Sequence, residues 1–423
     1  MSTSKPSTVD LSDLEGFWRA PIPERAAGFA ALRDRPDLPW FEAPTVPIPD
    51  PGAGYYALTR YDDVVAASRA PGVFTSGLGA TTLADLSPEL LELLGSMMIH
   101  TDPPQHARLR RVVSRGFSPR RLSDLQTIIE HSAKTAVDDL LAAGQCDAVE
   151  TLAARLPLTV ICHMMGIPDG QHDFVYTRSN VLAGAGDRRY VADRGGSFPA
   201  LLAAGRELAE LMHDLGEQRR REPTDDVTST LVHAEIDGES LTSEELASFF
   251  ILLVSAGIET TRNAISWGLH LLTEHPDQRA AWLADLDTIT PTAVEEILRW
   301  SSPIIYMRRT LAAPTVLAGT ELPAGAKVAM FYWSANRDPA HFDRPEEFDV
   351  RRAPNPHLGF GGPGPHYCLG AHLARREIST LFTELLRRAP NFRTGAPRRQ
   401  RSMYINGIVQ MPITAEADTD ASR

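Results

Sequence analysis

The chain has 423 residues, and the usual domain size allows about three domains or a single large one. Its 42 basic and 54 acidic side chains leave a formal charge of −12, which argues against a nucleic-acid binder, whose footprint is a basic face. With 43% hydrophobic and 23% charged residues the composition is that of an ordinary globular protein, and three cysteines cannot build a disulfide framework.

The opening MSTSKPSTVD has no apolar secretory core. The longest apolar run, 249–254, is far short of the roughly 20 residues of a membrane span. A soluble, cytoplasmic chain without a membrane anchor is expected. No repeat and no Gly/Ser linker divides it, so a single domain is expected over 11–413, with polar disordered tails at 1–10 and 414–423.

Residues 55–59 read as a short strand and 62–69 as a helix. From Pro88 the pattern turns helical, with helices expected at 105–117, 122–143, 157–165, 197–220, 242–274 and 291–300. Thr242-Ser-Glu-Glu245 forms a capping box, and Thr290-Pro291 sets a proline at the first helical position. A β-rich stretch spans 315–331 with its turn at Pro323-Ala-Gly325. The proline-rich segment 335–367 has no periodic pattern, and irregular stretches of that length are usually functional or disordered. A helix at 369–387 follows. The predicted class is mainly α with a minor β part.

Four constellations carry chemistry. In Phe360-Gly-Gly-Pro-Gly-Pro-His-Tyr-Cys368-Leu-Gly370 a lone cysteine sits where a Gly/Pro loop enters a helix. A helix N-terminus stabilises a thiolate, and glycines let backbone N–H groups approach the sulfur and a flat ligand. Such a thiolate suits haem iron, to which it donates electron density that favours O–O cleavage. The alternatives are an inert buried thiol, or zinc held by Cys368 with His366 and His372, for which no fourth ligand is visible. Gly359, Gly361 and Gly364 also match a dinucleotide fingerprint in form, but no strand precedes them.

The second constellation is Ala256-Gly-Ile-Glu-Thr260-Thr261 in the most apolar helix. It reads either as a kinked core helix with a threonine bonded back one turn, or as a site where Gly257 leaves room for a diatomic ligand and Glu259 and Thr260 relay protons. The third, Glu296-Ile-Leu-Arg299, taken alone is a surface ion pair at i, i+3 spacing. The fourth, His106-Ala-Arg-Leu-Arg110, is either a solvated basic face or a grip on an anionic ligand.

In this order and spacing the four resemble the cytochrome P-450 superfamily of haem-thiolate monooxygenases over nearly the whole chain. The resemblance implies the cytochrome P-450 fold, with haem b between the long central helix and the Cys-loop helix and Cys368 as iron ligand. It places the acid–alcohol pair at Glu259 and Thr260, and a structural cluster at Glu296, Arg299 and Arg352. Propionate partners fall on His106, Arg110, Arg309 and His366, and further haem contacts on Ala256, Gly257, Phe360, Gly361 and Gly370. Phe360 lies eight residues before the cysteine, where most members have seven.

That extra glycine resembles an actinobacterial subgroup that oxidises terminal methyls of branched lipids, isoprenoids and sterol side chains. So do the stretches 245–265, 292–311 and 334–378, although Ile258 stands where that subgroup tends to have Asn. The resemblance implies insertion of one oxygen atom of O2 into an unactivated C–H bond of an apolar small molecule. Tailoring of a polyketide or terpene is the alternative, and a non-catalytic haem protein a remote one. The pocket is expected between the segments 74–99 and 174–202, lined by Met97, Met98, Ile99, Leu253, Ala256, Ile304, Ile305, Met307, Tyr404 and Ile405. No flavin or iron–sulfur segment is visible, so two electrons from NAD(P)H are expected through a separate ferredoxin and ferredoxin reductase. Arg108, Arg111 and Arg115 offer a basic face to an acidic ferredoxin, and a monomer is expected.

Overall fold

The longest element is the helix Ser243–Glu274. Its start is set by the sequence, because Thr242 Oγ1 accepts the Glu245 N–H at 3.1 Å and the Glu245 carboxylate accepts the Thr242 N–H at 3.0 Å. From Thr261 to Leu269 every side of it is buried, as expected of an apolar helix in the middle of a large core. The helices Arg155–Met165, His172–Ala183, Ser197–Arg221, Leu286–Ser301 and Ala371–Arg388 pack around it, and Gln126–Ala143 packs on two of these. This arrangement comes from a computed structural model, which describes residues 9–44, 52–85, 97–183, 197–236 and 239–416.

Beside the helices lies a five-stranded sheet in the order Trp40–Phe41, Tyr55–Leu58, Lys327–Phe331, Tyr306–Leu311, Phe74–Thr75. Tyr55 pairs with Lys327 in the parallel register, and Arg309 faces Val328 in the antiparallel one. An aromatic core of Trp18, Phe29, Tyr55, Tyr306, Phe331 and Trp333 joins this sheet to the helix Ile22–Arg33.

Several expectations are corrected. The strand Tyr306–Leu311 was not foreseen; almost all of it is buried, so it shows no alternation, and Arg308 and Arg309 disguise it as polar. The hairpin Thr315–Leu317/Thr320–Leu322 turns at Ala318 and Gly319, both at positive φ (48° and 74°), which matches a two-residue hairpin loop. Pro291 is not at a helix start. The helix begins at Leu286, where Asp285 accepts the Thr288 N–H at 3.2 Å, and Pro291 sits on its exposed side. The helix expected at 105–117 ends at Val113 and passes into a 3₁₀ turn, Ser114–Phe117. The one expected at 122–143 is two helices, Pro119–Asp124 and Gln126–Ala143. The C-terminal tail starts later than expected, since Thr414 pairs with Gln145 and Ala415 is buried. Residues 1–8 and 417–423 of the expected tails lie outside the described residues.

Candidate functional site

The Cys368 loop closes on itself through the Cys368 N–H, which donates to the Phe360 carbonyl at 3.0 Å. Gly361 has φ 89°, a conformation that favours glycine. Gly362 and Gly364 act differently from the expectation, because they press the loop onto protein rather than a flat ligand. A Cβ on Gly364 would lie 2.3 Å from the Ser68 carbonyl, and one on Gly362 2.4 Å from Ser68 Oγ, both on the helix Tyr61–Arg69. Gly370 has open space around it. Phe360 is clamped by Arg375, whose Cζ lies 4.4 Å from the ring centroid.

Cys368 keeps accessible surface although protein is dense around it. Burial pushes its thiol up, while the Gly370 N–H and the charges of Arg110 and Arg375 pull it down. The other thiol and metal readings find little in the geometry. His372 is exposed, His366 turns towards His106, and among the described residues no three such side chains form a metal-binding group.

The central helix carries a stripe of accessible residues at Leu253, Ala256, Gly257 and Thr260, a spacing of i, i+3, i+4, i+7. Ala256 is exposed, and Leu252, Leu253, Ser255, Gly257 and Thr260 around it are partly accessible, while Val254, Ile258 and Glu259 are buried. Room at Gly257 is limited, since a Cβ there would meet Ile161 Cδ1 at 3.0 Å. Thr260 Oγ1 donates back to the Ala256 carbonyl at 2.5 Å. Glu259 takes the other side. It is 3% exposed and accepts hydrogen bonds from Arg262 at 2.5 Å and Asn263 at 3.1 Å, and Arg262 in turn reaches Asn180 Oδ1 at 2.8 Å. Ile258 is a core residue.

His106, Arg110, Arg309 and His366 converge. The rings of His106 and His366 lie 4.1 Å apart, and His366 Nε2 is 3.2 Å from Ser76 Oγ. Arg110 donates to the Tyr367 carbonyl at 2.7 Å and Arg309 to the Arg308 carbonyl at 2.7 Å. Burial and the neighbouring arginines lower His106, and they push His366 down to about 2. His106 Nε2 is buried with no hydrogen-bond partner among the described residues. Asp102 adds the nearby negative charge, but it already accepts the N–H groups of Ser76 and Gly77 at 2.8 Å. A desolvated cationic cluster with an orphaned nitrogen fits an anionic ligand. Haem suits it, with two carboxylates for this cluster and an iron for the Cys368 thiolate. Sequence reasoning missed His100, which joins the cluster's field; its Nδ1 accepts the Ala80 N–H at 3.0 Å, and burial takes it down to about 4. No spacing signal marked it.

Glu296 and Arg299 are not a surface pair. Both are fully buried and joined by two bonds of 2.7 and 2.8 Å, and Arg352 Nε meets both Glu296 oxygens at 3.1–3.2 Å. Arg299 also donates to the carbonyls of Asn336, Pro345 and Glu347. The cluster thus holds the irregular segment against the helix 286–301.

Of the expected pocket wall, Met98, Ile99, Ile304, Met307 and Tyr404 are partly accessible, and Tyr404 Oη lies 3.7 Å from Met307 Sδ. Met97, Ile305 and Ile405 are instead buried; Ile305 belongs to the aromatic core beside Tyr55. Residues 86–96 and 184–196 of the expected walls lie outside the described residues. On the basic face, Arg108 is ion-paired with Glu245, while Arg111 and Arg115 are exposed. No helix among the described residues is long and apolar enough to cross a membrane.

A family model described as cytochrome P450 matches residues 200–413. A methyl-branched lipid omega-hydroxylase of Mycobacterium bovis is 45% identical over 97% of this chain and 96% of its own. A steroid C26-monooxygenase of Rhodococcus jostii is 36% identical over 96% and 85% respectively. A Mycobacterium marinum cytochrome P450 solved in complex with pseudoionone superposes with a TM-score of 0.91 at 40% identity, covering 98% of this chain and 100% of that one. With its cysteine loop, cationic cluster and buried Glu–Arg network, the chain belongs to the cytochrome P450 family, the haem-thiolate monooxygenases that act with O2 and electrons.

Proposed function

We propose that the protein hydroxylates the terminal methyl group of a methyl-branched lipid or acyclic isoprenoid. The observation that carries this reading is the 45% identity, over nearly both full lengths, to a methyl-branched lipid omega-hydroxylase. The accessible apolar side chains Leu253, Ala256, Ile304 and Met307 support it. A primary C–H is the strongest alkyl C–H, so terminal attack requires the chain end to be held in near-attack position while weaker bonds are kept away. Stiff β-branched walls such as Ile99 and Ile304 suit that task.

In this reading Cys368 supplies the thiolate to haem iron, and His106, Arg110, Arg309 and His366 hold the propionates. Bound haem supplies reductive activation of O2 and oxidation of the C–H bond. Thr260 places a hydroxyl on the accessible stripe to pass a proton, and Glu259 is the acid behind it. Electrons come from NAD(P)H through a separate ferredoxin and reductase, with the protein acting in the cytoplasm as a monomer.

The test is a spectral titration of the holoenzyme with a methyl-branched fatty acid, pseudoionone, a sterol and a macrolide, followed by product analysis. A high-spin shift with the branched chains and mainly primary alcohol is expected. Inner-carbon products, or a shift with the macrolide alone, would move the protein to natural-product tailoring.

A further inference from the structure

Away from this site, the helix Ile22–Arg33 lays Arg25, Phe29 and Arg33, four residues apart, onto the segment 331–335. The Phe29 ring lies 5.3 Å from Phe331 and 5.6 Å from Trp333. Arg33 finds acceptors there, donating to Ser334 Oγ at 2.8 Å and to the Ser334 carbonyl at 3.2 Å. Arg25 finds none. Its Cζ stands 5.4 Å from the centroid of the Trp333 ring, its side chain is buried, and its Nε and Nη2 have no hydrogen-bond partner among the described residues. Trp333 Nε1 is buried and likewise without a partner among the described residues. Two guanidinium nitrogens and the indole nitrogen of this stacked pair are thus all buried without a partner among the described residues.

The surrounding charge makes their position worse. Arg337 packs on the same indole with its Cζ 3.8 Å from the centroid, and Arg399 is anchored to the carbonyls of Arg19 and Ala20 just before the helix. Arg337 has Glu346 at 3.4 Å, and Arg33 feels Asp338. Arg25 has no such carboxylate: burial first, then Arg399, takes it down to about 10. Stacking on an aromatic face offsets part of this cost, but a largely buried cation with no counter-charge and two nitrogens without an acceptor is unfavourable.

We propose that Arg25 and the Trp333 indole N–H bind a small monovalent anion of halide size in the aromatic core between the helix 22–33 and the sheet. A single unpaired guanidinium and one indole donor match a single charge. The Trp333 backbone N–H donates to the Ile305 carbonyl at 3.2 Å, one residue from Ile304, so the anion would lie directly behind the inferred substrate wall.

The experiment follows thermal unfolding of the holoenzyme at fixed pH and ionic strength while sodium gluconate is replaced by sodium chloride or bromide. Ligand linkage requires the midpoint to rise with halide once the dissociation constant is passed. The Arg25→Met protein should lose that halide-specific rise. Crystals grown in bromide should show an anomalous peak within hydrogen-bonding reach of Arg25 and Trp333 Nε1. Water or a carboxylate of the chain at that position in bromide overturns the proposal, and so does a halide response equal in wild type and Arg25→Met. Should Arg25→Met fail to fold, the bromide crystal of the wild type decides alone.

Discussion

Glu259 and Arg262 form a buried ion pair, 2.5 Å apart, on the side of the central helix away from the accessible stripe that carries Thr260. Acid and alcohol are adjacent in sequence yet face different surroundings. A proton passing between them has to cross from a charged, hydrogen-bonded pocket shared with Asn180 and Asn263 to the open face of the helix.

Breaking that pair should be costly. Arg262→Met leaves a buried carboxylate without its partner, a change that typically destabilises by about 3–5 kcal/mol. A thermal-unfolding midpoint within a degree of wild type would show that Glu259 finds another partner. Glu259→Gln keeps the shape but leaves Arg262 without its counter-charge, so it should cost stability as well and should lower turnover per folded molecule.

Thr260 is tested by coupling. Thr260→Ala removes a hydroxyl bonded to the Ala256 carbonyl and one methyl at a partly accessible position, so stability should change by about 1 kcal/mol or less. Product formed per NAD(P)H should fall and hydrogen peroxide rise, with Thr260→Ser restoring most of the yield. Unchanged coupling in Thr260→Ala would leave the threonine a purely structural residue.

Glu377, on the helix that follows the cysteine loop, is 2% exposed with Oε1 unpartnered among the described residues, and burial pushes its carboxyl up to about 8. The folded state therefore keeps a proton that the unfolded chain, titrating near 4.3, gives up. Stability should fall as pH rises from about 4.5 to about 8, by up to roughly 1.4 kcal/mol per pH unit. Glu377→Gln should remove this slope, being more stable than wild type at pH 7.5 and equal to it near pH 4.5. Parallel stability curves for the two proteins would show that Glu377 is ionised in the fold.

Arg111 and Arg115 stand exposed on the helix that supplies His106 and Arg110 and on the turn after it. Reversing either charge should slow reduction by an acidic ferredoxin several-fold at low salt and converge with wild type at high salt. Substrate affinity should be unaffected. Equal reduction rates at low ionic strength would remove this face from electron delivery.

Local signals carried much of this architecture. Thr242 and Glu245 announced the central helix because capping is a contact within four residues, and the Cys368 loop stood out because cysteine, glycine and proline are each conformationally or chemically marked. What escaped depends on distant partners. Glu296 and Arg299 carry the spacing of any surface pair, and only Arg352, over 50 residues on, together with carbonyls from the irregular segment, makes them a buried network. Strand 306–311 was hidden by two buried arginines, of which Arg308 finds its carbonyl acceptor at Ala84, more than 200 residues earlier, and Arg309 at its own neighbour Arg308. Gly362 and Gly364 advertised close approach but not to what; Ser68 is nearly 300 residues earlier.

The grip of Arg299 and Arg352 on the irregular segment is made largely through main-chain oxygens: those of Asn336, Pro345 and Glu347 for one, and of Asp343, Arg344 and Glu347 for the other. Every amino acid has a carbonyl, so these two arginines recognise the path of the chain and not the identity of its side chains. Exposed positions along the path, such as Asp343, are therefore free to diversify. Its length is not, because inserting or deleting one residue between 336 and 352 would move every carbonyl out of reach at once and shift the loop that presents Cys368.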